Sequence, residues 1–295
     1  MALPDAVETA SLVAAGRTTA AQAVEDAIAR AEQLNPKLNA IVATSYEAAR
    51  QQAAAVPTGP LAGVPILLKD LFTPVEGDTA HAGNRLLRQL DLRYQATGNV
   101  GRRLRRAGTI SIGRSHSPEL GCGQCPAASE TAAFGVTRNP WGPTRSPLGS
   151  SGGAAVAVAA GIVALAHASD GGGSIRLPAS ACGIVGLKPS RGRVSMAPAG
   201  EMWAGGATDG VLSRTVRDTA AGLDVLSGPE LGDPTPAPPL PRPLLDEVGA
   251  DPGRLRVGVC DELPYATTDP ACQEAARAAA DLLASLGHEV DQGIG

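Results

Sequence analysis

Aromatic side chains are scarce in this chain. They make up 2% of the 295 residues, whereas 36 positions are glycine. A core of this composition must pack through small aliphatic side chains and close backbone approach rather than through large rings. The hydrophobic fraction of 43% still supplies enough apolar surface for a substantial core, which excludes an intrinsically disordered chain.

Positive charge is also limited, and arginine carries nearly all of it. The net charge of −4 gives no general attraction to nucleic acid or to an anionic membrane surface. Of the 25 basic residues, only Lys37, Lys69 and Lys188 are lysines. A buried lysine can lose its proton and act as a base, whereas arginine stays protonated. A lysine at the end of an apolar segment therefore calls for a chemical explanation.

Long apolar segments and a disulfide pattern are missing as well. The longest apolar run, Ala154 to Ala166, falls short of the ~20 residues that a membrane span needs. The five cysteines are an odd number, which does not indicate a disulfide framework. Met1 to Asp5 lacks the basic and apolar regions of a secretory signal. We therefore predict a cytoplasmic protein with neither a membrane nor a nucleic acid as partner.

The order of apolar runs and turn signals predicts an α/β protein. A helix beginning near Thr19 is expected to end at Pro36. Val64 to Leu68 and Ile162 to Ala168 are predicted to be buried strands, each followed by polar residues. Val211 to Ser227 is predicted to form a turn that leads into a helix.

A proline-rich segment divides the chain. Residues 229–254 contain eight prolines and predict a connector with polyproline character. It would follow a core of residues 1–228. Residues 255–295 would then open a further part of the same domain with a strand, a helix and the start of a second strand.

Two glycine–serine clusters carry the strongest chemical signal, Gly149–Gly153 and Asp170–Arg176. Three consecutive glycines after a strand allow backbone N–H groups to converge on one point, as an oxyanion hole requires. Ser174 follows these glycines, where a nucleophile would lie beside the donors. The same pattern is typical of a tight turn in which Ser174 caps a helix, so the glycines alone leave both interpretations open.

Four segments together resemble the amidase signature family. They are VPILLKD at 64–70, GSSGG at 149–153, DGGGSIRLPAS at 170–180 and CGIVGLKP at 182–189. The resemblance spans about residues 5 to 290 and is closest to the bacterial amidases of the family. It implies an α/β fold with a mixed central β-sheet flanked by helices, incomplete at the C-terminus because family members are considerably longer.

The resemblance implies a Ser–Ser–Lys triad that hydrolyses a carboxylic amide through an acyl-enzyme. Matched motif to motif, Ser174 is the nucleophile, Ser150 is the bridging serine on a cis peptide bond, and Lys69 is the base. The chemistry agrees with these assignments. Burial lowers the pKa of a lysine, a hydroxyl both donates and accepts a proton, and a serine nucleophile needs a base beside it.

The remaining site residues follow from the same motifs. The N–H groups of Gly171, Gly172, Gly173 and Ser174 would stabilise the oxyanion. Three supporting residues, Ser151, Asp170 and Arg176, flank the triad, and the last two are expected to hold the loop by hydrogen bonds. The substrate would be a small-molecule amide, and no metal or organic cofactor is needed.

Two departures from the family pattern matter. Leu148 replaces a glycine and cannot easily adopt a positive φ, so we expect the loop to be shifted unless this position is extended. The short chain would also leave a sheet edge uncovered, which predicts homo-oligomers, poor solubility and weak turnover. The alternative functions are an inactive remnant and a partner-dependent component that resembles the amidase-type subunit of an amidotransferase.

Two other patterns compete for a function. GSSGG also matches the nucleophile elbow of α/β-hydrolases, with Ser151 as nucleophile and Asp261 and His288 following in order. An elbow needs a strand directly before it, and the prolines between Trp141 and Leu148 argue against one. Cys122 and Cys125 have CxxC spacing, but they lack the second pair that a zinc site requires.

Overall fold

The computed structural model describes residues 3–122, 129–262 and 265–292, in two compact units, Met1–Val248 and Gly249–Gly295. The helices are α1 (Ala6–Ala14), α2 (Ala20–Leu38), α3 (Tyr46–Ala54), α4 (Arg85–Gln89), α5 (Asn99–Arg106), α6 (Gly152–Ala159), α7 (Arg176–Cys182), α8 (Val216–Leu226) and α9 (Pro270–Ser285). The strands are β1 (Ile41–Thr44), β2 (Pro65–Lys69), β3 (Ile110–Ser115), β4 (Glu130–Thr131), β5 (Gly135–Val136), β6 (Leu165–Asp170), β7 (Val185–Gly186), β8 (Thr208–Ser213), β9 (Arg256–Val259) and β10 (Glu289–Gln292). Short 3₁₀ turns occupy Glu119–Gly121 and Leu244–Glu247.

A six-stranded mixed sheet forms the centre of the first unit, in the order β1-β3-β2-β6-β8-β7. The neighbours β3, β2 and β6 run parallel, whereas β1, β8 and β7 pair antiparallel with their neighbours. The predicted α/β fold with a mixed central sheet and flanking helices is confirmed.

The strands are buried because they separate two apolar clusters. In β2, Leu67 packs into one cluster with residues of α2 and α6, and Ile66 and Leu68 pack into the other with residues of α5 and α8. Successive side chains of a strand point to opposite faces, so a continuous apolar run is what a strand covered on both faces requires.

Helix α2 differs from the prediction because Pro36 does not end it. The helix continues to Leu38 and ends at Asn39, which has the left-handed φ of 51°. Pro36 lies in the last turn, where its missing N–H removes a single hydrogen bond near the helix end. The backbone N–H of Asn39 then donates to the carbonyl of Asn35 at 2.8 Å, which closes the turn.

Strand β8 corrects part of the prediction for Val211 to Ser227. The predicted helix is present as α8, but Val211 to Ser213 end a strand instead of forming a turn. Residues 208–213 are fully buried and pair with β6 along its whole length, from Leu165 opposite Ser213 to Asp170 opposite Thr208. Asp209 and Gly210 have low strand propensity, but burial and a continuous ladder outweigh that preference. This strand brings Asp209 to the edge of the sheet where the candidate site lies.

The second unit contains the predicted strand, helix and strand. Its strands β9 and β10 pair in parallel, from Arg256 opposite Glu289 to Val259 opposite Gln292. Helix α9 begins after Asp269, whose side chain accepts a hydrogen bond from the N–H of Ala271. The boundary between the two units falls inside the proline-rich segment 229–254. Within the described ranges, no helix has the length and apolar character needed to cross a bilayer.

Candidate active site

The candidate site lies where β2 and β6 end and β8 begins. Lys69 is the last residue of β2, Asp170 is the last of β6, and Asp209 is the second of β8. Since β2 and β6 are parallel and β8 is antiparallel to β6, these positions share one edge of the sheet. Ligand sites in sheets of this kind lie at the carboxyl ends of parallel strands.

Lys69 is fully buried, and its side-chain nitrogen is bonded to hydroxyl groups. Nζ lies 2.7 Å from Ser150 Oγ, 3.0 Å from Ser169 Oγ and 3.5 Å from the Ser169 carbonyl oxygen. In the described parts of the chain, Nζ forms no ion pair with a carboxylate. Such a site binds a neutral amine more easily than a charged one.

Burial accordingly lowers the pKa of Lys69 to about 7, although the carboxylates of Asp209 and Asp170 act in the opposite direction. An ordinary lysine has a pKa near 10.4 and is charged at neutral pH. At pH 7 about half of the Lys69 side chains are therefore neutral and able to accept a proton.

The loop 149–153 places two serines beside Lys69. The Gly149–Ser150 peptide bond is cis, and helix α6 begins directly after Ser151. Ser150 is 3% exposed, and its hydroxyl contacts Lys69 Nζ. Ser151 is fully buried, and its hydroxyl donates to the Ser169 carbonyl at 3.3 Å. This contact ties the loop to β6.

Asp170 organises the loop that follows β6. Its carboxylate accepts hydrogen bonds from the N–H groups of Gly173 at 2.7 Å and Ile175 at 3.0 Å. The Arg176 guanidinium binds both carboxylate oxygens at 3.0 Å. Burial opposes ionisation of Asp170, but these donors outweigh it and lower the pKa to about 2. A permanent carboxylate thus fixes the turn around Ser174.

The expected set of oxyanion donors needs one correction. The N–H of Gly173 donates to Asp170 Oδ1, so it points into the loop and is already used. Among the loop hydrogen bonds of the described residues, the N–H groups of Gly171, Gly172 and Ser174 have no partner. Three of the four expected donors therefore remain available to a developing negative charge.

Ser174 borders a cavity of about 120 Å³ and is half-buried. Its carbonyl accepts a hydrogen bond from the Ser151 N–H at 3.2 Å, which joins the two glycine–serine loops. Ser150 and Asp209 also line the cavity. The cavity also has an apolar part of its lining, formed by Leu71, Phe72, Leu120, Met196, Met202 and Trp203. The cavity thus brings an accessible serine and apolar surface together.

Leu148 is not extended and adopts the positive φ that a leucine was expected to avoid. Its φ is +60°, in the left-handed region that glycine adopts without cost. Its carbonyl accepts a hydrogen bond from Ser129 Oγ at 3.2 Å. The leucine therefore follows a backbone path suited to glycine and is strained by its Cβ.

The nucleophile elbow does not form. Residues 141–148 contain no strand, so the nucleophile elbow with Ser151 fails on its structural requirement. Asp261 pairs with Arg277 at 2.6 Å, and His288 Nδ1 accepts from the Leu255 N–H. Cys122 borders the cavity, whereas Cys125 lies outside the described residues, so the CxxC interpretation stays a prediction.

Three residues near Lys69 were missed in the sequence. Ser169 bonds Lys69 Nζ, His167 accepts from the Lys69 backbone N–H at 3.4 Å, and Asp209 bonds His167 Nε2 at 3.1 Å. Ser169 and His167 could have been found, because they lie two residues apart in the strand predicted before Asp170 and alternate side chains of a strand share one face. Asp209 could not, because the sequence did not indicate a strand at residues 208–213.

The chain is similar to several known proteins. The family model described as Amidase matches residues 22–293. The 6-aminohexanoate-cyclic-dimer hydrolase of Paenarthrobacter ureafaciens is 41% identical over 97% of this chain, and the chain spans 58% of that protein. A structure of 6-aminohexanoate cyclic dimer hydrolase complexed with substrate superposes with a TM-score of 0.92 at 39% identity, over 98% of this chain and 60% of that one.

A relative with a different functional name is also similar to this chain. A glutamyl-tRNA(Gln) amidotransferase subunit of Synechococcus sp. (strain RCC307) is 39% identical over 93% of this chain, which spans 57% of that protein. The family model covers most of the chain, and it includes both glycine–serine loops and Lys69. The resemblance predicted from the sequence is confirmed: the chain belongs to the amidase signature family.

Proposed function

We propose that this chain hydrolyses carboxylic amides through Ser174, Ser150 and Lys69. The observation that carries the proposal is the contact of 2.7 Å between Ser150 Oγ and the fully buried Nζ of Lys69. A lysine with a pKa of about 7 is a base poised near neutral pH. A serine hydroxyl at that distance is suited to pass a proton to it.

The reaction begins when the Ser174 hydroxyl attacks the amide carbonyl. Its O–H bond breaks, the proton moves to Ser150, and the Ser150 proton moves to Lys69 Nζ. The N–H groups of Gly171, Gly172 and Ser174 stabilise the oxyanion that forms. The same relay returns a proton to the leaving amine, which leaves an acyl group on Ser174 for water to hydrolyse.

The supporting residues fix this geometry. Asp170 draws the amides of the loop and Arg176 together, and Ser151 ties the other loop to β6. Positioning matters because displacement of a reacting group by ~1 Å costs about 10²-fold in rate. These residues would act on the orientation of the triad rather than on the proton itself.

The substrate class follows from the cavity and from the relatives. The apolar part of the cavity lining suits an amide with an aliphatic chain. A relative is named for hydrolysis of the cyclic dimer of 6-aminohexanoate, so this dimer and simple anilides form the first substrate panel.

The test measures amide hydrolysis by the purified chain and its lysine variants. Lys69→Ala and Lys69→Arg are both expected to lose about 10³-fold or more, because arginine cannot become a neutral base. Lys37→Ala, at an exposed position of α2, is the matched control and should keep its turnover. Turnover retained by the Lys69 variants would refute the assignment of the base.

The amidotransferase-like alternative makes a different prediction. One relative is named as a component of an amidotransferase, so the triad could work as one part of a larger assembly. A chain with reactive Ser174 but no hydrolysis of any amide in the panel would favour this alternative. A chain without a reactive Ser174 would contradict both functions.

A further inference from the structure

A hydrogen-bonded pair lies beside the candidate base and has no role in the mechanism above. His167 on β6 and Asp209 on β8 are both buried, and His167 Nε2 lies 3.1 Å from Asp209 Oδ1. His167 faces Val211 and Asp209 faces Ser169 across the antiparallel ladder, so the two side chains are diagonal neighbours on one face.

The pair is also bonded to the backbone of Lys69. The Lys69 N–H can only donate, and its acceptor at 3.4 Å is His167 Nδ1. The Thr73 hydroxyl lies 3.3 Å from the same ring nitrogen. The pair is therefore bonded both to the end of β2 and to the residues that follow it.

Two carboxylates near Lys69 are already paired with arginine. Asp170 is paired with Arg176, and Arg114, which donates to the Lys69 carbonyl at 3.3 Å, is paired with Asp78. Asp70 accepts from the Gly83 N–H, and burial raises its pKa to about 6. Within the described residues, Asp209 forms no ion pair with a lysine or an arginine, and its side-chain partner is His167.

We propose that Asp209, held by His167, is a positioning residue that stabilises the ammonium form of Lys69 created when Ser174 loses its proton. The inference rests on the proposed function. In the step concerned, the O–H bond of Ser174 breaks and an N–H bond forms on Lys69, so a positive charge appears in a buried site. A fixed negative charge nearby lowers the free energy of that charged state.

Asp209 has the position that this role requires. It lines the same cavity as Ser150 and Ser174, and Oδ2 takes part in none of the side-chain hydrogen bonds of the described residues. The carboxylate does not bond Lys69 directly, so it raises the basicity of the amine without trapping its proton in an ion pair. The carboxylate of Asp209 also raises the pKa of Lys69 against the effect of burial.

The experiment titrates Lys69 directly. The chain has only three lysines, so protein labelled with [ε-¹³C]lysine gives three signals, and Lys69→Met identifies the one from Lys69. The wild-type signal should titrate near pH 7. Asp209→Asn keeps the size and the acceptor but removes the charge, and it should lower this midpoint by about one unit. The pH profile of amide hydrolysis should move with it.

Matched variants separate charge from structure. Asp209→Glu keeps a carboxylate and should restore the midpoint, and Asp209→Ser is a second neutral variant in case the asparagine variant does not fold. Asp224→Asn removes a carboxylate that caps residues 244–245 and should leave the midpoint unchanged. A merely structural role would lower activity equally at every pH.

The experiment distinguishes a failure of the proposed function from a failure of the inference about Asp209. A Lys69 signal that titrates near 10.4 in the wild type would contradict the proposed function. A wild-type midpoint near 7 that stays unchanged in both neutral variants of Asp209 would overturn this inference alone.

Discussion

Two loops of similar glycine–serine composition lie in opposite environments. In the loop 149–153, Ser150 and Ser151 are 3% and 0% exposed and contact Lys69 and β6. In the loop 171–174, Gly172 is exposed and Ser174 is half-buried at the cavity. A proton relay works best when it is shielded and fixed, whereas a nucleophile must be reached by substrate. Burial rather than composition therefore separates the two proposed roles.

One glycine of the buried loop, Gly153, differs from Gly172 of the other loop in the same way. A Cβ at Gly153 would lie 2.4 Å from the His116 nitrogen and 2.5 Å from the Ala40 carbonyl oxygen, both backbone atoms. A Cβ at Gly172 would meet only a Trp203 ring carbon at 3.9 Å. The first loop thus needs glycine for close packing, while the second leaves free space at this position.

The largest expected effect distinguishes the two serines that could be nucleophiles. Ser174→Ala should reduce amide hydrolysis by about 10⁴-fold or more, because it removes the group that forms the acyl-enzyme. Ser151→Ala should cost about 10-fold, since it removes two hydrogen bonds to the Ser169 backbone that position the relay. Steady-state kinetics on both variants measures the difference. Equal losses of amide hydrolysis would contradict the different roles of the two loops.

The glycine comparison predicts the next largest effect, on stability. Gly153→Ala should destabilise the fold by about 3 kcal/mol or more, because rigid backbone atoms must move away from the new methyl group. Gly172→Ala is the control and should unfold within a few degrees of the wild type. Thermal unfolding by circular dichroism measures both, and a Gly153→Ala variant with unchanged stability would show that the buried loop is not tightly packed.

The dependence of turnover on pH tests the state of Lys69. Only the neutral amine can accept a proton, and the pKa of Lys69 is about 7. The value of kcat/KM should therefore rise with pH, level off above pH 7 and fall about tenfold for each unit below the pKa. Asp170, with a pKa of about 2, stays ionised throughout this range.

One neighbour needs a control in that experiment. Asp70 follows Lys69, and burial raises its pKa to about 6. In Asp70→Asn the rise of kcat/KM near pH 7 should persist, because the titrating group is Lys69. Loss of that rise in the asparagine variant would transfer the pH dependence to Asp70.

The smallest expected effect concerns Leu148, the residue that directly precedes the buried loop 149–153. Leu148 has a φ of +60°, which costs an L-residue about 1–2 kcal/mol. Replacing it by glycine removes this strain, but the greater flexibility of glycine in the unfolded chain offsets part of the gain. Leu148→Gly should thus stabilise the fold by about 0.5–1 kcal/mol. Leu148→Ala keeps the Cβ and serves as the control, which should not gain stability. Equal unfolding temperatures for both variants would contradict the strain.

Much of the central sheet was predictable because its parallel strands have a clear pattern. The apolar run before Lys69 and the run before Asp170 both form strands, since a strand covered on both faces must be apolar throughout. The predicted start of β6 differs from the observed one by a few residues, because the strand begins at Leu165 rather than at Ile162. Family motifs, rather than periodicity, located the candidate site residues.

The rest depended on contacts between distant segments. Strand β8 has a polar start and a glycine, so its sequence does not show the ladder that it forms with β6. Asp209 and its bond to His167 were hidden for the same reason. The hydrogen bond from Gly173 to Asp170 also depends on the folded loop, because a run of glycines does not show which N–H groups are already occupied.

The most direct test of the proposed triad is the site of covalent labelling by a fluorophosphonate probe. The peptide from Ser146 to Arg176 that trypsin releases contains both loops, so fragment ions in tandem mass spectrometry can separate Ser150 and Ser151 from Ser174. We predict a label on Ser174, lost in Ser174→Ala and slowed in Lys69→Ala. A label on Ser151, or labelling of Ser174 that does not depend on Lys69, would contradict the triad.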